Sequence, residues 1–308
     1  MRKKVSVIGA GNVGAAVAQY LAEDNVCDIM LFDVVEGLPQ GKALDLMQAG
    51  PVRGYDVNIT GTNDFSLLKG SDIVVHTAGL ARKPGMSRED LLKANAEIVG
   101  NVAKSVKQYA DQAVIIMVAN PLDLMTFHAF KVTGFPPNRV FGQAGILDSI
   151  RFRTFVGMEL NVAQTETEAM VLGGHGDTMV PLPRYTTVAG VPITELMAAD
   201  RIEALSKRTI DGGAEIVKLL KTGSAYYAPA AASVEMVKAV LNDTKKVFPC
   251  SAHLTGQYGI KDIYIGVPVV LGSGGVEKIY ELKLEAAELA ALQKSAATYK
   301  EHLKDLGY

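Results

Sequence analysis

Cysteine is scarce in this 308-residue chain: Cys27 and Cys250 stand alone, with no CxxC spacing and no pairing framework. That excludes a disulfide-stapled fold and fits buried thiols in a reducing compartment, so a cytoplasmic location is expected. No apolar stretch approaches the roughly eighteen residues that a membrane span requires. The N-terminal MRKKVSVIGAG has a short, mostly apolar run that reaches glycine after four residues instead of building a signal-peptide core, and reads as a first strand. Charge of one sign is also lacking. Lys and Arg number 31 against 33 Asp and Glu, a formal net charge of −2, which leaves no electrostatic footprint for nucleic acid or an anionic membrane surface. His76, His128, His253 and His302 have no matching clusters of carboxylates or cysteines, so they read as structural and no metal is expected. There is no internal repeat, no low-complexity tract and no Pro-, Gly- or Ser-rich linker.

What is present is an ordinary globular composition, 48% apolar and 21% charged, long enough for one large domain or two closely packed halves. The first half alternates short β-branched runs (5–8, 29–32) with helical patterns (13–22, around 43–47), which is βαβ logic. Further apolar runs at 57–60, 73–75 and 114–118 lack polar alternation, as parallel strands covered on both faces do. Leu91, Leu92, Ile98, Val99, Val102 and Val106 recur at helical spacing, and Ser87 with Asp90 resembles a capping box that places Arg88 in the first turn. The expected fold is α/β: a doubly wound parallel (Rossmann) sheet over residues 1–143, followed by a less regular α+β substrate and catalytic domain over 144–308.

Between the first strand and first helix lies VIGAGNVG, a GxGxxG with Gly9, Gly11 and Gly14 around Asn12 and Val13. In that context the first glycine permits the tight turn, the second lets backbone approach a pyrophosphate, and the third allows close helix packing. Asp33 ends the second strand about twenty residues on, where a carboxylate accepts from ribose hydroxyls and repels a 2′-phosphate, favouring NAD over NADP. The alternative for Asp33 is a strand-end turn former. No tyrosine is followed four residues later by lysine, which excludes the YxxxK pair of short-chain dehydrogenases. The absence of tryptophan means that bound NADH fluorescence would be read without a tryptophan background.

In GGHGD, residues 173–177, His175 is flanked by glycines, and an imidazole titrating near neutrality suits proton exchange with a small alcohol or ketone. It needs an orienting partner. In LDSIRFR, Asp148 and Arg151 are three apart and share a helix face, one able to accept from an imidazole N–H, the other to bind a carboxylate in bidentate fashion. The bland alternatives are a surface histidine and a surface ion pair.

GAGNVG, ARKPGMSRED, MVANPLD, LDSIRFR and GGHGDTMVPLPR, in that order, together with KTGSAYYAPA and GVPVVLGSGGVEKI, resemble the lactate and malate dehydrogenase family over most of the chain. The likeness is closest to the lactate-dehydrogenase-like branch of its malate enzymes. It implies His175 as proton donor and acceptor, Asp148 as its partner, Arg151 as carboxylate anchor, Asn120 at both nicotinamide and substrate, and Asn95 and the Val118 backbone at the cofactor. The segment with Arg82 and Arg88 is implied to be a lid bent at Pro84 and Gly85, with Arg88 polarising the reacting carbonyl. Arg82 takes the position where lactate enzymes carry glutamine, so a second carboxylate is expected in the substrate, oxaloacetate or malate. Rivals are a lactate dehydrogenase and a non-catalytic NAD sensor. Family members are generally tetramers or dimers, and a homo-oligomer is expected, a tetramer before a dimer. LGSGG, residues 271–275, lacks the lysine and hydroxyl of a P-loop and reads as a turn.

Overall fold

A computed structural model of the chain describes residues 2–80 and 88–308, with backbone alone at Arg88. The alternating pattern becomes β1 (Lys4–Ile8), α1 (Asn12–Glu23), β2 (Asp28–Phe32), α2 (Leu38–Arg53), β3 (Ile59–Thr62), β4 (Ile73–His76), α3 (Arg88–Tyr109), β5 (Val114–Met117), α4 (Leu122–Thr133) and β6 (Val140–Gly142). The second half contributes α5 (Gly145–Leu160), the short strands β7 (Thr167–Glu168), β8 (Val171–Leu172), β9 (Val180–Pro181), β10 (Thr187–Val188) and β11 (Val191–Pro192), then α6 (Ile193–Leu196), α7 (Ala199–Leu220) and α8 (Tyr227–Leu241). It ends with β12 (Lys246–Thr255), β13 (Lys261–Gly272), β14 (Gly275–Ile279) and α9 (Ala286–Leu303).

The first six strands pair in parallel in the order β6-β5-β4-β1-β2-β3, the doubly wound arrangement. Val5, Val7, Ile73, Val75, Ile115 and Ile116 are fully or almost fully buried, which explains why these strands read as continuous apolar runs. The order reverses between β1 and β4, so connections leave to opposite sides and a crevice opens at the carboxyl ends of both strands.

The second half does not simply stand beside this sheet. β12 pairs antiparallel with β6 at Ser251 and Gly142, and β13 and β14 follow, so that among the described residues one sheet of nine strands crosses both halves. A smaller apolar cluster of Phe152, Val156, Val171, Met179, Ile193, Ile202 and Leu205 lies under α5 and α7. The glycine tract at 271–275 is the turn between β13 and β14.

Two boundaries differ from the sequence pattern. The helix expected around 43–47 runs the full length of α2, begun by left-handed Gly37 and Pro39 and closed by left-handed Gly54. Its apolar stripe is weak because Leu44, Met47 and Val52 face outward. The third strand starts two residues later than expected, because the Asn58 amide is turned to Asp28 Oδ1 at 3.1 Å before the ladder continues.

Candidate active site

At the crevice, Gly9 adopts φ +101°, and a Cβ there would stand 2.8 Å from the Ala78 nitrogen. A Cβ on Gly14 would stand 1.8 Å from the Gly9 carbonyl, so the helix can start this close to β1 only without one. Gly11 differs: no described atom lies within 4 Å of its Cβ position. It is the N-cap of α1, which has neither a side-chain cap nor an acidic residue in its first turn. Its leading N–H groups and the positive end of the helix dipole therefore face space that a pyrophosphate fits. Asp33 fastens the loop. Its Oδ2 accepts from Ala10 N–H at 2.7 Å and its Oδ1 from Val35 N–H at 3.0 Å, and each oxygen keeps a second acceptor site. Lys42 Nζ holds the Ala10 carbonyl at 2.7 Å.

The other half of the site is built on α5. Ser149 Oγ accepts from Val171 N–H at 3.0 Å, fixing the helix to β8 and hence to the glycine loop that follows it. One turn of α5 presents Asp148 and Arg151 together, Arg151 Nη1 donating to Asp148 Oδ1 at 3.2 Å, while His175 Nδ1 meets Asp148 Oδ2 at 2.9 Å. The Asp148 side chain is only 2% exposed, so this is no surface ion pair. Burial acts to lower the His175 pKa, but the charge of Asp148 and its hydrogen bond outweigh burial and hold the ring above its ordinary value. Gly212 and Gly213 let α7 pass against Arg151, where a Cβ on Gly212 would approach the Arg151 Cδ to 3.1 Å. Among the described residues Arg151 Nε is buried without a partner, and its guanidinium lines the cavity.

A cavity of about 530 Å³ joins the two constructions, with Val13, Val118, Asn120, Arg151, His175 and Ala225 on its walls. Cofactor loop, imidazole and guanidinium thus face one space. Asn95, expected at the cofactor, is 1% exposed, and its amide is engaged by protein: Oδ1 accepts from Leu80 N–H at 2.7 Å and Nδ2 donates to the Asn120 carbonyl at 2.7 Å. It ties the end of the β4 segment to the Asn120 turn. Arg82 and Ser87 lie outside the described residues, as does the side chain of Arg88, which opens α3.

Four residues that the sequence reading did not single out hold the histidine loop. Asp123, buried in the first turn of α4, accepts from His175 N–H at 2.8 Å and from the Ser251 hydroxyl at 2.6 Å. Burial pushes its carboxyl up to about 6, against the opposing hydrogen bonds of Ser251 and His175. From α9, Ser295 Oγ accepts from Gly174 N–H at 3.0 Å, and the Tyr299 ring lies where a Gly174 Cβ would be, 1.9 Å from a ring carbon. Asp123 sits inside the quoted MVANPLD, but no local spacing connects it to a loop 52 residues away. A second cavity of about 500 Å³ opens between α3, α4 and α9, sharing Asn120 and His175 with the first and with His302 on its wall; His76, by contrast, is buried with its ring on the Ala78 carbonyl at 2.9 Å.

The fold and crevice define a dinucleotide-binding protein of the doubly wound class. Residues 3–142 match the model of the lactate/malate dehydrogenase NAD binding domain, and residues 146–307 that of the lactate/malate dehydrogenase alpha/beta C-terminal domain. The chain is 59% identical over 301 residues to the malate dehydrogenase of Thermomicrobium roseum, covering 98% of this chain and 97% of that one. It superimposes on the malate dehydrogenase of Cryptosporidium parvum with a TM-score of 0.97 at 43% identity, covering 100% and 99% of the two chains. The lactate dehydrogenase of the same organism, solved with lactic acid and nicotinamide adenine dinucleotide, gives 0.94 at 43% identity, covering 98% and 96%. The chain belongs to the lactate/malate dehydrogenase family. It is an oxidoreductase of that family, and its first half is the NAD-binding domain.

Proposed function

We propose that the chain is an NAD-dependent malate dehydrogenase, interconverting (S)-malate and oxaloacetate with His175 as proton donor and acceptor. The observation that carries this reading is the shared cavity, which brings a carboxylate-oriented imidazole and a guanidinium whose Nε has no partner among the described residues to the mouth of the dinucleotide crevice. Bound NADH supplies the hydride. Asp148 keeps the proton on Nδ1 and stabilises the imidazolium, so the ring presents Nε2 to the substrate oxygen. Arg151 binds the carboxylate next to the reacting carbon, and Asn120 and Val118 bound the space for the nicotinamide. Asp33 at the β2 end selects NAD through the ribose hydroxyls.

The malate and lactate dehydrogenases of Cryptosporidium parvum share this fold at equal identity to the chain, so the substrate choice rests on one side chain. Arg82 would pair the second carboxylate of oxaloacetate, whereas over the methyl group of pyruvate it would bury a charge without a partner. Arg88 would polarise the carbonyl and stabilise transition-state charge. The malate-dehydrogenase names of relatives at 54–59% identity agree with this choice. The test is NADH oxidation with oxaloacetate and with pyruvate under identical conditions. A kcat/KM ratio of about 10⁴ in favour of oxaloacetate is expected, collapsing in Arg82→Gln; a preference for pyruvate would overturn the substrate assignment.

The division of labour we propose falls between residues 143 and 144, cofactor before and catalysis after. Two buried free thiols support a cytoplasmic location. Kinship with the lactate and malate dehydrogenases supports a homo-oligomer, a tetramer before a dimer, readable by light scattering.

A further inference from the structure

Two buried carboxylates converge on His175, and the reaction as described uses one. Asp148 holds the ring. Asp123 holds the main chain of the same residue, accepting from His175 N–H at 2.8 Å, and its other oxygen accepts from the Ser251 hydroxyl at 2.6 Å. At 1% exposure an aspartate that served only to start α4 would be an expensive choice, since a first-turn carboxylate can do that from the surface. Instead it turns away from its own helix. Three residues earlier, just before the N-cap of α4, stands Asn120, which lines the cavity together with His175. Asp123 therefore links the Asn120 segment to the histidine main chain through three residues of chain and one hydrogen bond. Ser251, its second partner, sits where β12 meets β6, at the joint between the two halves of the sheet.

We propose that Asp123 is a positioning residue for His175: its carboxylate, steadied by Ser251, fixes the histidine main chain relative to Asn120 and places a second negative charge beside the ring. The inference rests on His175 being the proton donor and acceptor. The charged and titratable groups around the pair are Asp148 and Arg151 from α5, Asp177 from the loop itself and Tyr299 from α9. Asp148 and Asp123 favour the protonated ring, and Arg151 opposes it. Removing the Asp123 charge at unchanged shape must therefore make the imidazolium easier to deprotonate.

Asp123→Asn keeps an acceptor for the His175 amide and deletes the charge; Ser251→Ala keeps the charge and deletes the steadying donor. The ring titration of His175 is followed by NMR in both variants and in the parent, which requires no substrate, and pH profiles of oxaloacetate reduction are recorded alongside. In Asp123→Asn the titration should fall by about half a pH unit or more, a modest size for a nearby unit charge at an effective dielectric of about 20. The alkaline limb of oxaloacetate reduction should move down with it. At neutral pH kcat should drop about tenfold or more while the KM for NADH stays within about twofold, since a displaced histidine alters the chemical step and not the cofactor crevice. Ser251→Ala should shift the titration in the same direction by less, because losing that hydrogen bond makes Asp123 easier to protonate. Unchanged titrations in both variants, with only a lowered Tm, would overturn the inference; if Asp123→Asn does not fold, Ser251→Ala decides it. A parent protein inactive on oxaloacetate and pyruvate alike would sink the functional reading and leave the NMR comparison standing on its own.

Discussion

In the loop at residues 9–14 the Gly11 Cβ position has no described atom within 4 Å, whereas in the loop at 173–177 the Gly174 position is filled to 1.9 Å by the Tyr299 ring. Both loops are glycine-rich, both follow a strand, and residues of both line one cavity. The first leaves its helix N–H groups without a side-chain cap. The second has its amides claimed: Gly173 by Gly266 at 2.9 Å, Gly174 by Ser295 and His175 by Asp123. Glycine serves open space for a ligand at Gly11 and close approach of the protein's own side chain at Gly174. A glycine motif thus states that backbone must be approached, and only the surrounding elements say by what.

Gly174→Ala is the strongest way to break this contrast. The Cβ would overlap a ring held on α9, so a loss of about 2 kcal/mol or more in stability and most of the activity is expected, with partial recovery in Gly174→Ala/Tyr299→Ala, both read by denaturant melts and turnover. Gly11→Ala should do the reverse. At φ −67° and ψ −166° alanine is accommodated, so the Tm without cofactor should hold or rise slightly while NADH binds about tenfold more weakly, measured by NADH fluorescence; equal losses of stability in the two variants would erase the distinction. The pH dependence sharpens it further. Because Asp148 holds His175 above the ordinary 6.5, malate oxidation, which needs the neutral ring, should rise through a midpoint above 6.5, and oxaloacetate reduction should fall across the same range. A midpoint below 6.5 in kcat/KM would mean that the clamped loop does not keep the ring on Asp148.

The parallel strands were legible because burial on both faces imposes uninterrupted apolar runs, and the glycine loop because backbone approach admits few residues. Asp148 and Arg151 were legible as a pair because one helical turn joins them. Their link to His175 was read from complementary chemistry and from family resemblance, since the histidine lies 27 positions from Asp148 and no periodicity spans the gap. The Asp123, Ser251, Ser295 and Tyr299 cradle left no local trace, for each contact joins elements distant in the chain, 121 residues in the case of Gly174 and Ser295. The length of α2 was hidden for another reason: its ends are set by left-handed glycines and its outward Leu44, Met47 and Val52 blur the amphipathic stripe.

The 121 residues between Gly174 and Ser295 also translate into time. At roughly 5–20 residues per second, a ribosome would release the histidine loop about 6–24 s before the helix that packs against it. The nucleotide crevice, made from residues closer together in the chain, can form during that interval. A nascent chain would therefore acquire the capacity to hold its coenzyme before the means to use it, and the docking of α9 would be the moment at which the molecule becomes competent.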